Sequence, residues 1–320
     1  MICNTIYLSK ERNVYMKTYL QDNSDQLHRD IPKPLVVVCP GGGYSFHSYK
    51  EGEPIALAYA AAGFHAIVLY YGIGEYAVMP GPIKDIADAV AYIREHSDEW
   101  YVDVDNIYVS GFSAGAHVAA SLAVFWNNDE VLPEYSGKHD LIKPNGAMLG
   151  YPVLDLKSTT TKLDIGIQPG TTMDDIEFDH RHPNMPQEKY FIFNEKEKRY
   201  FVNFEVAMNA YIFGGEYTDE QEEFYSLQNH VNKDTPPIFI WHTAQDGLIF
   251  PSNSLKFASA LQANNIPFEL HIFGEGNHGL ALGNYITADY QHENVPAVTS
   301  WITQATAWLN RQSGYPEKLY

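Results

Sequence analysis

Short apolar runs recur along the chain and predict buried strands. Because they are continuous rather than alternating, they are typical of parallel strands that are covered on both faces. They cover Leu35 to Cys39, Ala66 to Tyr71, Ile107 to Val109, about Ala147 to Val153, Pro237 to Thr243 and Phe268 to Phe273. Residues 5–20 instead alternate weakly between apolar and polar side chains, which predicts a half-exposed hairpin at a sheet edge.

Segments with helical periodicity separate these runs. In the clearest of them, one face carries Ile86, Ala89, Val90 and Ile93, and the other positions carry Asp85, Asp88, Arg94 and Glu95. Further helices are predicted at about residues 53–62, 114–126 and 252–264, and a closing helix has Val298, Trp301, Ile302, Ala305 and Leu309 on one face. This alternation predicts an α/β fold in one domain across residues 1–320, with a mostly parallel central sheet and helices on both of its faces.

The alternation stops at about residues 155–232, which indicates an insertion or cap-like segment. Aromatic residues lie among charged ones there, namely Tyr190, Phe191, Phe193, Tyr200, Phe201 and Phe204 among Glu195, Lys196, Glu197, Lys198 and Arg199. Such a mixture suits a sugar ring. These rings could equally pack the segment onto the sheet or onto another subunit, which leaves a homo-oligomer open. His180 and His182 have metal-ligand spacing, but no companion ligands accompany them, so surface histidines are favoured.

A candidate nucleophile follows the third apolar run. Gly111-Phe-Ser113-Ala-Gly115 matches the G-x-S-x-G nucleophile elbow, in which small neighbours let the chain turn sharply and lift the serine hydroxyl out of the sheet. A pattern with three fixed positions also occurs by chance. The strand before it and the helix after it are the context that the motif requires, so Ser113 is the predicted nucleophile.

A serine nucleophile needs a histidine to take its proton and a carboxylate to orient that histidine. Asp246 follows the predicted strand at 237–243, and His278 follows the predicted strand at 268–273. Considered alone, Asp246 would be interpreted as a turn residue and His278 as a loop residue. Their places after the last two strands predict them as the orienting carboxylate and the general base.

Glycine-rich segments follow two of the predicted strands. Pro40-Gly-Gly-Gly-Tyr44 follows the first apolar run, and such a loop can bring backbone N–H groups close to a ligand, although a flexible turn is the alternative. Gly274, Gly276 and Gly279 fit G-x-G-x-x-G, but no helix is predicted to start there. Only about 40 residues remain after them, so a dinucleotide site is excluded.

The composition of the chain limits which binding partners and which cellular location are expected. The chain has 21 Lys and Arg residues against 40 Asp and Glu residues, a formal net charge of −19, which disfavours nucleic acid and anionic membranes as partners. Cys3 and Cys39 are too few for a disulfide framework. We find no secretory leader pattern and no apolar stretch of membrane-spanning length, so the expected location is the cytoplasm.

Together the motifs resemble those of the α/β-hydrolase serine esterases, within the acetyl esterase and acetylxylan-esterase-like branch. The resemblance rests on Pro40-Gly-Gly-Gly-Tyr44, Gly111-Phe-Ser-Ala-Gly115, Trp241-His-Thr-Ala-Gln-Asp246 and Gly276-Asn-His-Gly279. It implies Ser113, Asp246 and His278 as catalytic residues, no cofactor or metal, and an oxyanion hole of backbone N–H groups from Gly42, Gly43 and Ala114. Pro40 stands where the lipase-like form of the motif has His, which suits the acetylxylan-esterase-like branch better.

We therefore expect a serine carboxylesterase that removes short acyl groups, acetyl above all, from small-molecule esters such as acetylated sugars or xylo-oligosaccharides. The reaction would pass through an acyl-enzyme. A related hydrolase of amides or other acids, such as an aryl formamidase, a peptidase or a feruloyl esterase, stays open because the same triad also cleaves amides. The intact serine, acid and histidine argue against a non-catalytic binding module.

Overall fold

The computed structural model describes residues 1–24, 26, 30–176 and 185–315. Its strands are β1 (Thr5–Ser9), β2 (Val14–Tyr19), β3 (Lys33–Cys39), β4 (His65–Tyr70), β5 (Val102–Phe112), β6 (Gly146–Gly150), β7 (Phe191–Asn194), β8 (Arg199–Val202), β9 (Ile238–Thr243) and β10 (Phe268–Phe273). Within these described residues, all strands except β7 and β8 form one eight-stranded sheet in the order β1-β2-β4-β3-β5-β6-β9-β10.

The sheet is parallel except at one edge. β1 and β2 form an antiparallel hairpin, and β2 pairs antiparallel with β4, while the other neighbours run parallel. The hairpin predicted from residues 5–20 therefore lies at the sheet edge, as expected. The carboxyl ends of the parallel strands meet at one edge of the sheet, where ligands of such folds bind.

The helices are α1 (Glu53–Ala61), α2 (Gly81–Glu95), α3 (Ser97–Trp100), α4 (Ala114–Phe125), α5 (Gln187–Tyr190), α6 (Phe204–Phe213), α7 (Asp219–Phe224), α8 (Ser252–Ala263) and α9 (Ser300–Ser313). In the part of the chain that the structure describes, none is long and apolar enough to cross a membrane. α1 and α9 pack on one face of the sheet, and α2, α4 and α8 pack on the other.

Strand β3 shows how the two cores divide. Leu35 and Val37 belong to the core under α2 and α4, whereas Val36 and Val38 belong to the core under α1 and α9. Every residue of β3 is buried, because successive side chains point to opposite faces and both faces are covered. The predicted α/β fold is confirmed.

Two local expectations differ from the structure. β6 ends at Gly150 and not at Val153, because Tyr151 turns out of the strand with φ 34°. Asp85, assigned away from the apolar face of its helix, is 2% exposed. Its carboxylate accepts hydrogen bonds from the Arg12 guanidinium at 2.7 and 3.1 Å and from the N–H of Gly72 at 2.9 Å, so α2 is tied to the hairpin edge.

The segment between residues 155 and 232 contains regular structure of its own. β7 and β8 pair antiparallel, and α5, α6 and α7 flank them along the chain. A small hydrophobic cluster of Met185, Tyr190, Phe191, Val202 and Ala210 joins this hairpin to α5 and α6. The His180 and His182 pair lies outside the described residues.

The turn from β5 into α4 depends on close backbone contacts. A Cβ atom at Gly115 would lie 2.2 Å from the carbonyl oxygen of Cys39 and 2.4 Å from that of Pro40. A Cβ at Gly111 would lie 2.2 Å from the carbonyl oxygen of Gly115. Backbone atoms cannot rotate away from such contacts, so α4 reaches the end of β3 only with glycine at these positions.

We expect Gly115→Ala to lower the free energy of unfolding by about 3 kcal/mol or more, since overpacking against fixed backbone costs at least as much as overpacking a side-chain core. Gly274→Ala is the matched control, because a Cβ there meets no atom within 4 Å. Urea unfolding of both variants measures the difference. Equal stability of the two variants would contradict the close contact.

Candidate active site

Ser113 lies at a sharp turn between β5 and α4. Its φ of 52° and ψ of −121° are rare for a residue with a side chain. The N–H of Ser113 donates to the carbonyl oxygen of Gly150 at 3.1 Å, and its own carbonyl accepts from the N–H of Ala116 at 3.1 Å. The turn predicted from the G-x-S-x-G pattern therefore exists and is held from both sides.

The predicted histidine lies between the predicted serine and carboxylate. Nε2 of His278 is 2.9 Å from Oγ of Ser113, and Nδ1 of His278 is 2.7 Å from Oδ2 of Asp246. An ionised carboxylate only accepts hydrogen bonds, so Nδ1–H of His278 donates to Asp246 and Nε2 accepts from the Ser113 hydroxyl. The structure thus brings together three residues that lie far apart in the chain.

Asp246 is held by more than His278. Its Oδ1 accepts from the backbone N–H groups of Leu248 and Ile249, each at 3.0 Å. Burial alone would raise the pKa of Asp246, but the imidazoles of His278 and His242 and the hydrogen bonds outweigh burial and hold this pKa well below its usual value. The carboxylate is therefore ionised and fixed in direction at neutral pH.

A second histidine, His242, contacts the same carboxylate. Nε2 of His242 is 3.2 Å from Oδ2 of Asp246 and 3.0 Å from the carbonyl oxygen of Ile249, and both are acceptors, so Nε2 carries a proton. Nδ1 lies 2.8 Å from the Ser254 hydroxyl. His242 had no assigned role from the sequence, although it lies four residues before Asp246 in one of the motifs that carry the resemblance.

The backbone N–H groups near Ser113 differ in whether the described residues offer them an acceptor. The N–H of Gly41 donates to Oε2 of Glu51 at 2.9 Å. Among the described residues, none accepts a hydrogen bond from the N–H of Gly42, Gly43 or Ala114. Gly42 and Gly43 line the same cavity as Ser113, and Ala114 is the residue after it at the start of α4. These free donors can meet an oxygen that develops negative charge beside the serine.

A cavity of about 380 Å³ opens over Ser113 and His278. One wall comes from the loop after β3 and is mixed in character, with Gly42, Gly43, Ser45, Phe46, Ser48, Lys50 and Glu51. A second part of the lining is mainly apolar and comes from α5 and α6, with Tyr190, Phe204, Ala207, Met208 and Tyr211. Leu248 and Gly279 complete the lining.

Family models match the chain in two parts. The BD-FAE model matches residues 22–170, and the prolyl oligopeptidase family model matches residues 189–307. The structure superimposes on that of a carboxylesterase from Lactobacillus plantarum with a TM-score of 0.76 and 26% identity, over 98% of each chain. The chain has the α/β-hydrolase fold. As the motifs predicted, the chain is similar to proteins named acetylxylan esterase and acetyl esterase; one of the latter, from Salmonella choleraesuis, is 26% identical over 73% of the chain and 61% of its own length.

Two curated relatives have names that refer to xylan or to its acetyl esters. One named endo-1,4-beta-xylanase B, from Butyrivibrio fibrisolvens, is 31% identical over 81% of the chain and 34% of its own length. One named acetylxylan esterase, from Xylanibacter ruminicola, is 22% identical over 95% of the chain and 51% of its own length. The chain thus spans a third to a half of these two relatives.

Only some of the aromatic residues that were considered as sugar contacts line the cavity. Tyr190 and Phe204 line the cavity, whereas Phe191 and Phe201 are buried and Phe193 packs on Tyr200 at 5.0 Å between ring centroids. The charged residues at 195–199 lie in the β7–β8 turn and its flanks, where Arg199 pairs with Glu197 and Asp164. The polar groups beside the cavity rings come instead from residues 45–51.

Asp246→Asn should lower kcat by about 10⁴-fold. The N–H groups of Leu248 and Ile249 require the single amide oxygen of the asparagine, so its N–H₂ group faces Nδ1 of His278 and the imidazole takes the wrong tautomer. KM for an aryl acetate should change little. Asp234→Asn is the control, since Asp234 contacts Asn127 and lies outside the site. If Asp234→Asn or Asp219→Asn lost more activity than Asp246→Asn, Asp246 would be only a turn residue.

The lowered pKa of Asp246 also predicts a pH dependence of stability. The carboxyl of Asp246 titrates at about pH 4 in the unfolded chain and at a lower pH in the folded protein. The ionised carboxylate therefore contributes its full stabilisation above about pH 4, and this contribution is lost as the pH falls further. The difference in free energy of unfolding between wild type and Asp246→Asn should be about 1–3 kcal/mol at pH 7 and smaller at pH 3. Urea unfolding across this range tests it, and a difference that grew toward pH 3 would contradict the lowered pKa.

Proposed function

We propose that this protein is a serine ester hydrolase that removes acetyl or similarly short acyl groups from small polar alcohols, including acetylated sugars. One observation carries the proposal. His278 bridges Ser113 and Asp246 at 2.9 and 2.7 Å beneath an accessible cavity, which is the arrangement that activates a serine for acyl transfer.

The reaction proceeds in two halves. Oγ of Ser113 bonds to the carbonyl carbon of the ester while its proton passes to Nε2 of His278. The tetrahedral intermediate collapses, the bond to the alcohol oxygen breaks, and His278 returns the proton to that oxygen. A water molecule then attacks the acyl-enzyme with His278 as base, and the carboxylic acid leaves with the Ser113 hydroxyl restored.

The free N–H groups of Gly42, Gly43 and Ala114 serve as the oxyanion hole in this proposal. Their support is that Gly41, the neighbouring glycine, has its N–H bound to Glu51 while these three have no acceptor among the described residues. Donors that are fixed before the reaction stabilise the charge that develops in the transition state, each by about 3 kcal/mol.

The substrate class has two supports. A relative named acetylxylan esterase aligns with 95% of the chain. The cavity also combines aromatic rings, Phe46, Tyr190 and Phe204 among them, with the polar residues Ser45, Ser48 and Lys50. Ring faces beside hydrogen-bonding groups suit a sugar better than a long lipid chain. The segment at about 155–232 acts as a cap in this proposal, since α6 supplies much of the apolar wall.

Amide hydrolysis is the second candidate function. The prolyl oligopeptidase family model matches residues 189–307, a range that includes both Asp246 and His278. The same serine, histidine and carboxylate would attack an amide, with His278 protonating the leaving nitrogen. An aminoacyl anilide offered beside aryl acetates distinguishes the two candidates.

Ser113→Ala should fold normally and lose hydrolysis of aryl acetates by about 10⁴-fold or more, because the triad acts as a unit. For wild type, kcat/KM should fall from acetate through butyrate to octanoate esters, and acetate should be released from acetylated xylo-oligosaccharides. A maximum at octanoate, or faster cleavage of the anilide than of the esters, would overturn the proposed specificity. Release from aryl acetates alone would leave a general short-chain esterase.

A cytoplasmic location and a homo-oligomeric state remain predictions. Cell fractionation tests the first, and light scattering on the purified protein tests the second.

A further inference from the structure

Three loops at the carboxyl edge of the sheet meet at one buried carboxylate, that of Glu51. Oε2 of Glu51 accepts the N–H of Gly41 at 2.9 Å, in the loop after β3. Oε1 accepts the hydroxyl of Tyr151 at 2.6 Å, in the loop after β6. The Tyr151 hydroxyl in turn accepts the N–H of Ala281 at 3.0 Å, in the loop after β10 that carries His278. Glu51 is 3% exposed and Tyr151 is 1% exposed.

The first arm of this network orients the glycine loop. Because the N–H of Gly41 is bound to Glu51, the peptide between Pro40 and Gly41, which leads into Gly42, has one fixed direction. The fit is tight, since a Cβ at Gly41 would lie 2.7 Å from Oε2 of Glu51 and 2.9 Å from Cβ of Ser113. The next two N–H groups, of Gly42 and Gly43, are two of the three near Ser113 that have no acceptor among the described residues.

The second arm holds the histidine. The ring of Tyr151 contacts that of His278 edge to face, with centroids 4.8 Å apart. Burial first, and then the charge of Glu51, raise the pKa of Tyr151 well above its usual value, so its hydroxyl keeps its proton and donates to Glu51. The hydroxyl is thus a donor to one loop and an acceptor from another.

We propose that Glu51 and Tyr151 form a positioning pair that sets the free N–H groups of Gly42 and Gly43 and the imidazole of His278 relative to Ser113. This inference rests on the proposed hydrolase function. The pair touches neither the serine hydroxyl nor its proton by hydrogen bond, so it acts through the loops that it joins.

A carboxylate is the side chain that this position requires. Both oxygens face donors, so a glutamine would place an N–H₂ group against either the Gly41 N–H or the Tyr151 hydroxyl. Within the described residues, no ion pair neutralises Glu51, so its charge is compensated by these hydrogen bonds. Cutting one bond leaves a buried charge partly unsatisfied and lets the loop shift.

Glu51→Gln tests the pair. We expect kcat for an aryl acetate to fall by about 10- to 100-fold, because a misplaced oxyanion donor costs up to what a missing one does. KM should stay within about twofold, since the substrate contacts remain. Rates are expressed per active site, titrated with a phosphonate ester, so that a loss of folded protein alone does not register.

Glu53→Gln is the matched control, because Glu53 also accepts a tyrosine hydroxyl, that of Tyr19 at 2.9 Å, but is not one of the described residues that line the cavity. Its kcat should stay within about twofold of wild type. An unchanged kcat in Glu51→Gln, or a raised KM with kcat intact, would overturn the positioning role; the second result would make Glu51 a substrate ligand.

Tyr151→Phe keeps the proposal testable if Glu51→Gln does not fold. It should also lower kcat at constant KM, and Glu51→Gln with Tyr151→Phe together should lose little more than the worse single variant, as expected for two members of one unit. If the loss of kcat in the double variant equalled the product of the two single losses, Glu51 and Tyr151 would have independent roles and the proposed pair would be refuted. If wild type hydrolysed aryl acetates no faster than Ser113→Ala, the proposed function would fail first, whatever the Glu51 variants did.

Discussion

The contact between Gly115 and the carbonyl groups that end β3 is the constraint on which the site depends. It allows α4 to start directly against the neighbouring strand, so that Ser113 takes its unusual turn beside the glycine loop. His278 and Asp246 lie on loops of the same sheet edge, because all their strands run parallel. From this turn, Oγ of Ser113 lies 2.9 Å from Nε2 of His278.

Three buried carboxylates connect segments of the chain, two of them at the carboxyl edge of the sheet and one at the β1–β2 hairpin. Asp246, Glu51 and Asp85 each accept at least two hydrogen bonds, and each joins segments far apart in the chain. A buried charge is costly unless its oxygens find donors. Each of these groups therefore fixes the backbone that supplies the donors, and their arrangement stabilises one set of loop positions over others.

The sequence predicted the sheet and the three site residues for a physical reason. Strands covered on both faces need continuous apolar runs, as in β3 and β9. Parallel strands bring the loops after them to one edge, which is why Ser113, Asp246 and His278 were expected to lie together, as they do. Glu51 and Asp85 could not be found in this way, since their partners Tyr151 and Arg12 are 100 and 73 residues away. Nothing local distinguishes such carboxylates from surface ones.

The apolar wall of the cavity belongs to a segment with a small core of its own, formed by residues such as Phe191 and Val202. Residues of α6 face the cavity, whereas the serine, histidine and aspartate all lie on loops of the main sheet. The residues of this wall can therefore change without altering the contacts among Ser113, His278 and Asp246. Such a division makes the fold evolvable, since the shape of the cavity can change while these three side chains keep their positions.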